Sequence, residues 1–125
     1  MKNLVLIVFL MMLTVSSVNA ANYMSCEDAV QEGKPFVVYL HSNTCPACKH
    51  FTPVFNQMMS RTSYNVVDVN YSEQLDENKC STLQTKTIPA VFVVNPEQQT
   101  SAKIKYETYF DSILFSKTLT NLMGE

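Results

Sequence analysis

Along this chain, short dense apolar runs alternate with stretches in which apolar residues recur every third or fourth position, and that change of period predicts interleaved strands and helices. Residues 35–40 (PFVVYL) have the dense β-branched and aromatic composition of a strand buried on both faces, Asn65–Asn70 (NVVDVN) read as the next buried strand, and residues 90–94 (AVFVV) as a third strand. Pro35 fits only at the start of its strand, because proline has no N–H to give to a ladder. Between the first two runs, residues 46–61 carry Phe51, Val54, Phe55, Met58 and Met59 on one helical stripe. Pro46 suits the first turn of that helix and Pro53 predicts a kink in it. Ser25 followed by Asp28 opens a short helix over Cys26–Glu32, and Gly33 supplies its stop. Beyond residue 70 the pattern predicts a polar, acidic loop over 71–77, a short helix around 78–85 and a turn over 95–101. A half-exposed strand over 103–109 and a last helix capped by Asp111 and ending near Gly124 complete the chain. The order α-β-α-β-α-β-β-α implies an α/β domain with a central mixed sheet flanked by helices on both faces.

The first twenty residues stand apart from that pattern. Lys2 is followed by an unbroken apolar run over 4–13 (LVLIVFLMML) and a small-residue stretch ending Val18-Asn19-Ala20, which reads as a secretory signal cleaved after Ala20. The alternative is a retained membrane anchor, but a spanning helix needs about 20 apolar residues and Thr14, Ser16 and Ser17 interrupt this run; once the leader is cleaved the chain is not expected to span a membrane. Residues 21–125 then form one domain with one modest core. The periplasm is the expected location, with secretion as the alternative. The net charge of −2 becomes −3 once Lys2 is removed, and neither value leaves a basic footprint for nucleic acid. Outside the cytosol disulfides persist, so four cysteines carry information.

Cys45-Pro46-Ala47-Cys48 sits between a buried strand and a helix. Two cysteines at this spacing can close a disulfide within one turn, and the first lies where the positive end of the helix dipole favours a thiolate. Because the thiolate is the attacking species, Cys45 is read as the nucleophile and Cys48 as the resolving thiol. A fixed structural bridge and a zinc half-site are the competing readings. Zinc would need two further ligands, and His41 and His50 are the candidates nearby; no second cysteine pair has suitable spacing, so no metal and no organic cofactor are expected. His41, just before the motif, is a candidate neighbour that helps stabilise the Cys45 thiolate, weighed against a solvated loop histidine.

Taken together, these features resemble the thioredoxin superfamily over about residues 24–123. Pro53 lies five residues after Cys48, where family members kink the active-site helix, and Ile88-Pro89 precedes a strand as the family's cis-proline does. The resemblance implies a cis Pro89 opposite the cysteine pair, with Ile88 and Pro89 docking an extended substrate through its backbone. It also implies that Cys26 and Cys80 share one face of the sheet, within reach of a structural disulfide that would offset a short or absent N-terminal edge strand; two separate buried thiols packing as small hydrophobes are the alternative. Three departures are visible. Tyr39 stands six positions before Cys45, where thioredoxins carry an acidic residue; Thr44 replaces the usual Trp; and Lys105, Tyr106 and Tyr109 occupy the neighbourhood of a customary glycine. The expected activity is thiol-disulfide exchange outside the cytosol with protein thiols or disulfides or with small thiols, a membrane redox partner being among those allowed. The alternative is a redox-silent binding or assembly module in which Cys45–Cys48 is a fixed bridge.

Overall fold

The computed structural model describes residues 20–71, 80, 83, 85 and 87–124. Within them, β1 is Asn22–Tyr23, α1 Cys26–Glu32, β2 Phe36–His41, α2 Pro46–Met59, β3 Asn65–Asn70, β4 Ala90–Asn95, β5 Thr100–Lys103 and α3 Ser112–Leu122. The signal segment and most of the helix expected around 78–85 lie outside the described residues.

Local chemistry sets the helix ends. Ser25 Oγ accepts the Asp28 N–H at 3.2 Å and starts α1. Gly33, at φ 72°, ends it, with its N–H donating to Val30 O. In α3 the Asp111 carboxylate accepts the Leu114 N–H at 3.1 Å. The five strands form one mixed sheet in the order β1-β3-β2-β4-β5. Strands β1, β3 and β2 run parallel, β4 is antiparallel to β2, and β5 is antiparallel to β4. The N-terminal edge strand is present but only two residues long.

Because alternate residues of a strand point to opposite faces, β2 feeds two cores. Val37 and Tyr39 pack with Phe51, Phe55 and Met59 of α2 and with Phe115 and Leu119 of α3. Phe36, Val38 and Leu40 pack on the other face with Cys26 and Ala29 of α1 and with Cys80, Leu83 and Ile88. The central strands are thus covered on both sides, which is why their sequences read as continuous apolar runs.

One expected element is different. The strand expected over 103–109 ends where it was placed to begin: β5 stops at Lys103, and Tyr106–Thr108 form a 3₁₀ turn. Tyr109 supplies the reason. Its fully buried ring stacks on Phe51 at 4.6 Å, its hydroxyl accepts the Val91 N–H at 2.8 Å, and its O–H donates to Ile104 O at 3.2 Å. Turning that ring inward needs the chain to curl, and the hydroxyl occupies the β4 edge where a longer β5 would pair.

Burial pushes the Tyr109 phenol up to about 12 and also raises that of Tyr39. A proton held more tightly in the folded state contributes stability that is whole below the ordinary phenol value of about 10 and drains away as pH rises toward 12. Urea midpoints should therefore hold steady up to about pH 10 and fall above it, while Tyr109→Phe should flatten part of that decline.

Candidate active site

The C-terminal end of β2 delivers the chain to the start of α2, and the cysteine pair sits at that junction. Cys45 is the N-cap of α2 with extended backbone, Pro46 is its first residue, and the Cys48 N–H donates to Cys45 Sγ at 3.1 Å. This geometry turns an orphan N–H of the first turn toward the Cys45 sulfur, an arrangement that favours negative charge there. Cys45 and Cys48 are joined as a disulfide with Cα atoms 5.2 Å apart. Cys45 is half-buried and Cys48 is 1% exposed, so only the first sulfur is reachable from outside. Pro46 is exposed and Ala47 half-buried, framing the approach to Cys45.

The Ile88–Pro89 peptide bond, in the loop before β4, is cis. Cys45 Sγ lies 3.6 Å from the Ile88 carbonyl oxygen. Pro89 itself is buried; Ile88 is half-buried. Cys26 and Cys80 are also joined, with Cα atoms 5.6 Å apart, on the face opposite α2.

His41 is not a solvated loop residue. It is the last residue of β2, its ring stacks on Tyr39 at 4.6 Å, and its Nε2 meets the Asp68 carboxylate. Its side chain is 13% exposed and that of Asp68 36% exposed. Asp68 was missed in the sequence, although a carboxylate between the valines of NVVDVN is a visible oddity. Register explains the pair: Asp68 lies directly across from Tyr39, and His41 follows on the same face two positions on. Tyr39 stands beneath it, fully buried, with its hydroxyl 2.7 Å from Thr52 Oγ1. Burial raises its phenol pKa, so at neutral pH this position holds a neutral hydroxyl.

Among the described residues no group of His, Cys, Asp and Glu is placed to hold a metal ion, and no helix is long and apolar enough to cross a membrane. None of the curated proteins compared matches the chain. Solved structures similar to it include the J-Trx1 fragment of ERdj5, at 14% identity and TM-score 0.63, covering 82% of this chain and 50% of the fragment. Thioredoxin f from spinach chloroplast matches at 14% identity and TM-score 0.56, covering 82% of this chain and 99% of that one. The first thioredoxin domain of mouse protein disulfide-isomerase A4 matches at 11% identity and TM-score 0.56, with 86% of each chain covered. The chain therefore spans half of the ERdj5 fragment but nearly all of the single-domain thioredoxin. At these identities the likeness is one of fold. Residues 14–114 match the family model described as Thioredoxin, and with the five-stranded mixed sheet and three α-helices of the described residues and the cysteine pair heading α2, this chain belongs to the thioredoxin family.

Proposed function

We propose that the protein is a thiol-disulfide oxidoreductase working outside the cytosol, in the periplasm, and that Cys45 and Cys48 are its reacting pair. The observation that carries this reading is the asymmetry of the two sulfurs: Cys45 is reachable and caps a helix, Cys48 is buried one turn inside it. In the reducing direction the Cys45 thiolate attacks one sulfur of a substrate disulfide. A Cys45–substrate bond forms, the substrate S–S bond breaks, and the departing sulfur leaves as a thiolate that takes up a proton. Cys48 then loses its proton and attacks Cys45 Sγ, which breaks the mixed disulfide, frees the second substrate thiolate and closes the Cys45–Cys48 bridge. The substrate gains two electrons and the pair loses two. The oxidising direction is the same sequence reversed.

The site also supports a docking role for the backbone at Ile88 and Pro89, since the Ile88 carbonyl is the neighbour of the attacking sulfur. Tyr39 offers no carboxylate to take the Cys48 proton, and His41, held by Asp68, is the polar group that the end of β2 presents instead. The leader-like segment at 1–20 supports the location. The expected partners are protein thiols and disulfides. The test is turnover: residues 21–125 with dithiothreitol should precipitate reduced insulin chains well above the dithiothreitol background. Absence of any acceleration would favour a binding module with a fixed bridge.

A further inference from the structure

The chain that leads into the Ile88–Pro89 loop is gripped from β5 by one side chain. Lys103, on β5, pairs in register with Phe92 of β4, and its ammonium reaches back along the sheet to the turn before the loop. Its Nζ donates to Thr85 Oγ1 at 3.1 Å and to Thr87 Oγ1 at 3.4 Å. The Thr85 hydroxyl is the hub. It donates to Thr87 O at 2.8 Å and accepts the Thr87 N–H at 3.3 Å. With the Lys103 bond, its one proton and both lone pairs are engaged, the full capacity of a hydroxyl. Thr87 is followed directly by Ile88, whose carbonyl lies 3.6 Å from Cys45 Sγ.

We propose that Lys103 is a positioning residue: through Thr85 and Thr87 it fixes the backbone that places the Ile88 carbonyl beside Cys45 and presents the loop to an extended substrate. The inference rests on the exchange activity proposed above. Leu83 and Ile88 anchor the segment in the core on either side, but Thr87 and Lys103 are exposed and Thr85 only half-buried, so burial of these three side chains does little to fix the turn between. Polar geometry supplies the rest, and an ammonium donor gives a strong, charge-assisted hydrogen bond there. A protein disulfide that docks along the loop depends on that geometry. A small aromatic disulfide that touches only the sulfur does not.

Two measurements on Lys103→Met, Lys103→Arg and Thr85→Val test this. Amide hydrogen exchange at Thr87 reads the turn without any catalysis, and it should be about tenfold faster in Lys103→Met and Thr85→Val, with Lys103→Arg closer to wild type. Kinetics should show KM for insulin raised about fivefold with kcat little changed, while the rate with a small aromatic disulfide stays at the wild-type value. Unchanged Thr87 exchange in Lys103→Met overturns the proposal whether or not the protein turns over. Equal losses with insulin and the small disulfide also overturn it, because they would mean general damage to the site. Wild-type protein that reduces neither substrate, with Thr87 exchange altered as expected, would instead count against the enzymatic reading while leaving the grip of Lys103 on the turn standing.

Discussion

A Cys26→Ala, Cys80→Ala chain is expected to be about 4 kcal/mol less stable than the wild type under oxidising conditions. The bridge joins residues 54 apart in sequence, and cross-linking a loop of that length removes conformational freedom mainly from the unfolded chain. Cys26 is the first residue of α1 and lies 8% exposed in the core that also holds Cys80, Leu83 and Ile88. Truncating both side chains to alanine leaves little cavity, so nearly all of the loss should come from the missing cross-link. Urea denaturation followed by far-ultraviolet circular dichroism measures it. The double variant should still reduce insulin below its unfolding transition, since neither Cys26 nor Cys80 is in the exchange sequence. A midpoint equal to that of the wild type would mean that the bridge contributes nothing to the fold.

The second large effect concerns the two sulfurs of the reacting pair. Cys45→Ser should bring insulin turnover down to the dithiothreitol background, because a serine hydroxyl at this site does not ionise near neutral pH and cannot attack a disulfide. Cys48→Ala should behave differently. Its Cys45 remains able to attack, but the mixed disulfide has no resolving thiol, so covalent adducts with substrate should accumulate and be released by reductant. Gel electrophoresis with and without reductant separates the two variants. Adducts on Cys45→Ser but not on Cys48→Ala would exchange the roles assigned to the two residues.

Elements whose identity depends on local spacing were legible in the sequence. The run NVVDVN predicts the bounds of β3 as they are found, and Ser25, Gly33 and Asp111 mark helix ends through side-chain and backbone chemistry that acts within a few residues. The stretch after Lys103 was misread because alternation of Ile104, Tyr106 and Thr108 imitates a strand, whereas the structure is decided by where the Tyr109 ring and hydroxyl find partners on Phe51, Val91 and Ile104. The motif Cys45–Cys48 was visible for the same reason as the caps: its geometry is contained in one helical turn. The His41–Asp68 pair and the reach of Lys103 to Thr85 were not. Each joins residues at least 18 apart, and only the register of β2 on β3, or of β5 on β4, brings them together.

The proposed exchange depends on Cys45 carrying charge at the start of α2 while Cys48 stays shielded behind it. Iodoacetamide alkylation of the reduced protein at neutral pH, followed over time at each cysteine by mass spectrometry, measures both properties at once. Cys45 should be modified first, as expected of a sulfur at a helix N-terminus that receives a backbone N–H. Cys48, 1% exposed, should remain unmodified over the same interval. Modification of Cys48 ahead of Cys45, or of both at one rate, would contradict that assignment.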